Sequence, residues 1–337
     1  MFARTSTLLD DLNVATREFY KQIVQVINQD NFINSRLLAK STPVDGGQSI
    51  FIPLEYGTTD IKAMAEYDEI VLAPNEILDY ASYPWTHLNG TLSLSEKKIK
   101  IQNKGKNAIL NLLEIHSKNA ARSMKQKFST MLFATSHEAN DNTSSLYDIC
   151  ADVDATVGGL DPSTSSLDWT PKVLDLVSEA PTYANLIDST SNYYIEKILR
   201  KMVDALSMSN DRPTLILTTQ IVWSAYETVL RADKRFDSAY EQIGDAGFEV
   251  LKFRGIPVAV DDNVPAGYMY VLNENYLGYY HASGFNFVTT PFKRAEMQHV
   301  YFSELNWWGG FGVSRRDKQG AVTGLPSAYT GLTFETV

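Results

Sequence analysis

Five histidines could ligate a metal or carry protons, but His87, His116, His137, His281 and His299 are scattered without metal-ligand spacing. Glu138 follows His137, yet the second histidine of a zinc-protease helix is missing one turn later. Ser95 and Lys98 have the spacing of a serine–lysine acyl-transfer pair. Such a pair needs a helix start that aims both side chains into one cleft, whereas polar and apolar residues alternate here and predict a strand. Gly310 and Gly312 lack the third glycine of a dinucleotide loop, because Arg315 stands in its place. No Gly-Lys-Ser or Gly-Lys-Thr phrase is present to cradle a phosphate.

Asp261 and Asp262 could serve as acid and base, and Trp307 and Trp308 could stack on a sugar. Together they would make a hydrolase or a carbohydrate-binding protein. Against this, the two carboxylates of a hydrolase must face one substrate, and adjacent strand residues point to opposite faces. Asp261, Asp262 and Asn263 predict a turn closed by its own side chains. For the tryptophans the same alternation predicts one buried ring and one at an interface. No catalytic, cofactor-binding or metal-ligating residue is assigned, no cofactor is expected, and the chain is read as a non-enzyme.

The elements that would position these residues centre on 213–273. Thr214 to Thr219 is short, apolar and β-branched after Pro213, and Ile221, Ala225 and Val229 follow at helical spacing, so a buried strand feeds a helix. Gly244 and Gly247 stop that helix. Strand character resumes over Phe248, Val250, Leu251 and Phe253, and Gly255 and Pro257 predict a turn before Val258 to Val260. Pro265, Ala266 and Gly267 predict another turn before the strand Tyr268 to Leu272.

Upstream, Ser6 or Thr7 caps a predicted helix whose apolar positions run from Leu8 to Val26. Ile50 to Gly57 reads as a strand carrying Pro53, which belongs on an edge or in a projecting ribbon. Thr91 to Ser95 and Lys98 to Ile101 alternate with period two, while Asn89 and Gly90 give a local hairpin signal. The longest helical pattern spans Lys104 to Thr135, with Ile109, Leu112, His116, Met124, Phe128 and Leu132 on one stripe. Small polar residues from Ser136 to Pro171 predict loops, and Tyr193 to Leu206 a second helix. Tyr276 to Tyr280, Phe285 to Thr289 and Met297 to Trp308 read as strands, with Gly309 to Gly312 following the last of them.

A chain of 337 residues with 44% hydrophobic and 21% charged residues has ordinary globular composition, and no run approaches a membrane span. Its forty acidic and thirty basic residues give a net charge of −10, which argues against a protein whose main affinity comes from neutralising phosphates. The single Cys150 cannot form an internal disulfide, and the first residues show no secretion signal.

The order of phrases adds a further expectation. "G-G-x-x-I-x-x-P-L-x-Y" at Gly46 to Tyr56, "P-x-x-I-x-T" from Pro213, "F-R-G-I-P-V" from Phe253 and "D-D-x-x-P-A-G-Y-M-Y-x-L-N" from Asp261 resemble the major capsid proteins of tailed bacteriophages. The resemblance implies an α+β tailed-phage capsid fold, shared with encapsulins. Its parts would be an N-terminal arm over 1–45, an extended β-loop over 46–103, a peripheral domain with a long spine helix over 104–145, an axial domain over 146–285, and a return to the peripheral sheet with the C-terminal tail over 286–337. In that family a tryptophan followed by this alternation forms one long returning strand, which is preferred here to the hairpin.

The same resemblance implies a shell of hexamers and pentamers. Its partners would be other copies of the chain, portal and scaffolding proteins, a decoration protein, and packaged double-stranded DNA held only non-specifically, with no membrane. Assembly in the host bacterial cytoplasm and a final place in the virion capsid follow from the resemblance. Family members can carry a lysine–asparagine isopeptide bond, but no such pair is assigned here.

Overall fold

The computed structural model describes residues 32–55, 61, 63–64, 77–97, 106–136, 143–163, 167–208, 211–232 and 251–328. The predicted helix from Leu8 to Val26, the helix stop at Gly244 and Gly247, and Lys98, Ile101 and His137 lie outside these residues.

Strand β13 (Val300–Val313) organises the first sheet. It pairs antiparallel with β4 (Thr86–Ser95), β10 (Leu277–Ala282), β11 (Val288–Thr289) and β12 (Lys293–Arg294), and β1 (Thr42–Val44) adds parallel to β10. Asn89 and Gly90 do not turn: they face Asn306 and Leu305 inside a ladder of ten consecutive residue pairs with β13. Ten registered partners outweigh one local dipeptide preference, so the single long strand prevails over the hairpin.

Other local readings shift in the same way. Gly309 to Gly312 do not follow β13 but form its second half, opposite β10. Pro257 lies in strand β8 (Ile256–Val260), and the turn falls instead at Arg254 (φ 50°) and Gly255 (φ 86°), between β8 and β7 (Leu251–Phe253). Two positive φ values suit a two-residue hairpin. Pro257 precedes the first β8 residue that pairs with β6 (Leu215–Thr218), so its missing N–H opens no gap on that side. The strand expected from Phe285 shrinks to Val288 and Thr289, because Phe287 takes a left-handed φ of 52° and breaks the extended run.

The second sheet runs β5 (Lys172–Asp175), β14 (Gly320–Thr323), β9 (Met269–Leu272), β6, β8, β7. Strands β6, β9 and β14 are buried along their whole length. The reason is that this sheet is a wall between two cores. Ile216, Met269, Val271 and Val322 face the helices α5 (Ile195–Leu206) and α6 (Gln220–Ala232), packed with Leu199, Met202, Val222 and Tyr226. Leu215, Leu217, Tyr270 and Ala321 face the other core. Because side chains alternate across a strand, a sheet covered on both faces reads as an unbroken apolar run.

That other core lies between the two sheets and the long helix α2 (Lys106–Leu132), the spine expected from Lys104 to Thr135. At 1.5 Å per residue it runs about 40 Å. Phe128 seats it: its ring meets Trp307 edge-on at 4.6 Å and lies 5.5 Å from Phe287 and 5.8 Å from Tyr279. Helix α1 (Phe32–Ala39) buries Ile33 and Leu37 in the same core. Asn34 fixes its position by donating to Ser129 Oγ at 3.1 Å and accepting from the Tyr279 hydroxyl at 3.1 Å. Short helices α3 (Leu146–Cys150) and α4 (Tyr183–Ile187) both begin with capping boxes, at Ser145 and Thr182.

Candidate assembly surfaces

Strands β2 (Ile50–Glu55) and β3 (Leu78–Tyr83) form a two-stranded ribbon, separate from both sheets, in which Ile50 faces Tyr83 and Glu55 faces Leu78. With one neighbour apiece, both are edge strands, and Pro53 is accommodated. Ile50, Ile52, Leu54, Ala81 and Tyr83 turn inward. They settle on the glycines of β13: a Cβ on Gly310 would lie 3.1 Å from the Ile50 Cδ1, and one on Gly312 would lie 3.1 Å from both Ile52 Cδ1 and Tyr83 Cε2. The Tyr83 hydroxyl donates to Val313 O at 2.9 Å and accepts from Val313 N at 3.2 Å. Gly158, at φ 63°, packs against the inward-facing Ala81 and Tyr83, its carbonyl accepting from Ser82 N at 2.7 Å.

The outer face of the ribbon leaves three large apolar side chains open, beside Glu55 and Ser82. Phe51 is 56% exposed and Tyr80 59%, their rings meeting edge-on at 5.4 Å, and Leu78 is 73% exposed. Aromatic rings left in water on the open face of a ribbon whose other face is packed on the core have the composition of an interface centre rather than of a monomer surface.

The residues singled out for chemistry are not brought together. Asp261 is buried and closes its own turn, its Oδ1 accepting from Asn263 N at 3.0 Å and Asn263 Nδ2 at 2.9 Å, while Asp262 is exposed. Trp307 is buried in the core against Phe128, and Trp308 lies on the opposite face of β13. One face of the Trp308 ring is already taken by His87, stacked at 4.2 Å and 18°. His87 Nε2 is in turn 3.0 Å from Asn306 Oδ1, which also accepts from Asn89 Nδ2. The hydrolase and carbohydrate reading therefore finds no convergent site. Ser95 ends β4 opposite Val300, directly before the helical residues Glu96 and Lys97, while its would-be partner Lys98 lies outside the described residues. His116 is half-buried on α2, His281 sits in β10, and His299 pairs with Glu96 at 2.9 Å. Among the described residues, no group of three or more His, Cys, Asp or Glu side chains could hold a metal. Burial pushes the Cys150 thiol well up, away from the thiolate that reacts.

What sequence reasoning missed is Arg316. It is fully buried, and its guanidinium donates to the carbonyls of Asp148 (2.7 Å), Ile149 (3.1 Å), Ala155 (2.7 Å), Trp169 (3.2 Å) and Asp152, while the Asp152 and Asp148 charges favour its ionised form. Desolvation in this position lowers its pKa. Arg316 thus ties the loop-rich stretch 148–169 to the chain joining β13 and β14. No local pattern could signal this, because all five acceptors are main-chain oxygens.

The arrangement of ribbon, long helix, glycine-rich central strand and double-faced sheet was compared with known proteins. No family model matches the sequence, and no curated protein matches it. Solved structures do match. The capsid of cyanophage A-1(L) superposes with a TM-score of 0.58 at 15% identity, covering 88% of this chain and 93% of that one.

The chain has the tailed-phage capsid fold.

The capsid of a native GTA particle matches at a TM-score of 0.56 and 11% identity, covering 86% and 90% of the two chains. A Mycobacterium phage Adephagia chain matches at 0.52 and 11%, covering 85% and 89%.

Proposed function

We propose that this chain is the major capsid protein of a tailed bacteriophage, closing as hexamers and pentamers into an icosahedral or prolate shell around packaged DNA. The observation that carries the reading is the fold match over nearly the full length of both chains, joined to an exposed apolar ribbon that has no use in a solitary molecule. Stable protein pairs bury about 1,600 Å². A subunit meeting several neighbours multiplies modest contacts into one cooperative container, and such work needs no active site.

In this reading 1–45 is an N-terminal arm, 46–103 the extended loop and 104–145 the spine of the peripheral domain. Residues 146–285 form the axial domain, and 286–337 return to the peripheral sheet and the tail. Helix α1 is the docked root of the arm, and the chain beyond Val313 continues into β14 of the second sheet before the tail. Portal, scaffolding and decoration proteins are the expected partners, and the host cytoplasm the expected place of assembly. Among the described residues no helix is long and apolar enough to cross a membrane.

Negative-stain microscopy of the expressed chain tests the proposal. Closed or partly closed particles, or hexameric and pentameric rings, are expected; a monodisperse monomer at all concentrations would overturn it. The double substitution Phe51→Ser/Tyr80→Ser, on the exposed ribbon face, should leave the fold intact and abolish particles.

A further inference from the structure

Asn89 is the one asparagine of this chain that is followed by glycine. The pair makes no turn, because it lies in the middle of β4, opposite Asn306 and Leu305. Nor does the fold need glycine there. Gly90 is not among the glycines of positive φ, and a Cβ on it would meet its nearest neighbour, Met124 Cε, at an ordinary 3.5 Å. A glycine inside a strand weakens it. Neither turn geometry nor packing accounts for this dipeptide, which leaves its covalent chemistry.

The backbone nitrogen of a glycine can attack the Cγ of a preceding asparagine, since no side chain hinders the approach. The N–Cγ bond forms, the Cγ–Nδ2 bond breaks, the amide proton is lost from the glycine nitrogen and the side-chain nitrogen departs as ammonia. Water then opens the five-membered succinimide at either carbonyl, giving aspartate or isoaspartate. No oxidant, metal or enzyme takes part. The ring closes only when Asn89 Cβ and Gly90 N eclipse about the Cα–C bond, whereas at the strand value of ψ, about +135°, they stand about 100° apart. Bringing them into line takes Asn89 out of its ladder with β13. The departing nitrogen is held too, since Asn89 Nδ2 donates to Asn306 Oδ1 at 2.7 Å.

We infer that Asn89 and Gly90 form a site of spontaneous deamidation that the pairing of β4 with β13 keeps shut and that opens whenever this pairing is absent. Isoaspartate at position 89 lengthens the backbone by a CH2 group. Side chains that alternate across a strand do not tolerate such an insertion: Gly90 to Ser95 leave register with Leu305 to Val300, and Leu92 and Leu94 lose their buried places. The change runs one way. A folded chain keeps its asparagine, while a chain that lingers unfolded loses the means to build its first sheet. This holds whether or not the chain closes into a shell.

The test ages the full-length chain at mildly alkaline pH, folded in buffer and unfolded in guanidinium chloride, and follows the peptide containing Asn89 by mass spectrometry. A gain of one mass unit should accumulate in the unfolded chain and at least about tenfold more slowly in the folded one, because attack tracks the population of the open strand. Equal rates, or no conversion in the unfolded chain, would overturn the inference. Refolding gives a second reading. After the same unfolded incubation, recovery of folded protein should fall with time for the unmodified chain and hold for Gly90→Ala, whose methyl group hinders the attack and fits beside Met124. Asn89→Asp carries the charge of the product without the added CH2 and should refold. Chains bearing isoaspartate that refold as fully as Asn89→Asp would overturn the loss of register.

Discussion

Arg36 and Glu274 form a bidentate ion pair, Nε to Oε1 and Nη2 to Oε2, each at 2.7 Å, across 238 residues of sequence. The carboxylate is nearly sealed from solvent, at 2% side-chain exposure, and Thr214 Oγ also donates to it at 3.2 Å. The pair fastens helix α1 to the loop between β9 and β10, where the chain passes from one sheet to the other. Arg36→Ala leaves a buried carboxylate without its cation and should cost about 2–3 kcal/mol, at the low end for such pairs because Arg36 itself is partly exposed. Denaturant unfolding of the unassembled chain measures this, and Arg36→Ala/Glu274→Gln should recover part of the loss.

Gly309 is a second point where the fold admits one residue only. A Cβ there would fall 2.4 Å from the Tyr280 carbonyl oxygen and 2.4 Å from the Trp307 ring. Neither the strand backbone nor a core ring can yield, so Gly309→Ala should destabilise by about 3 kcal/mol or more. Gly278, across the same pair of strands, has its nearest neighbour at 3.9 Å, and Gly278→Ala should change stability by less than about 1 kcal/mol. Thermal unfolding of both variants decides this.

For Arg316 the prediction concerns the type of cation. Lysine offers three donors from one point, whereas five carbonyls surround the guanidinium fork. Arg316→Lys should therefore cost about 3 kcal/mol and expose the 148–169 stretch to limited proteolysis, although the formal charge is preserved. A cleavage pattern identical to that of the unmodified chain would contradict the role assigned to Arg316.

His281 gives the chain an acid-sensitive point. Its Nδ1 is buried without a hydrogen-bond partner, and desolvation lowers its pKa below the ordinary 6.5. The folded state then binds fewer protons than the unfolded state as pH falls through 6.5, so the stability present above that value is lost on acidification. His281→Gln should flatten the dependence of unfolding free energy on pH between neutrality and about pH 5. An unchanged slope would mean that the ring is solvated in solution.

Several features were legible in the residue order because their causes are local. The spine helix declared itself through a sustained apolar stripe, and α5 and α6 through the same 3.6 period. The turns at Asp261 and Gly267 were readable because the residues that close them lie within a few positions. Proline at position 53 marked an edge strand, and the ribbon is one.

Other features depended on partners far along the chain. Asn89 and Gly90 carry the local preference of a turn, yet β13 holds them extended through partners some 217 residues away. Gly309 to Gly312 read as following the last strand and proved to be its continuation, where the ribbon and the Tyr280 backbone need the space that side chains would fill. The residue order by itself determined the repertoire of helices, strands and tight turns, since propensity and periodicity act over a handful of neighbours. Only the tertiary structure decided the register of β13, the burial of Arg316 among main-chain oxygens and the aromatic ribbon face left in solvent, because each is set by contacts whose two sides are far apart in sequence.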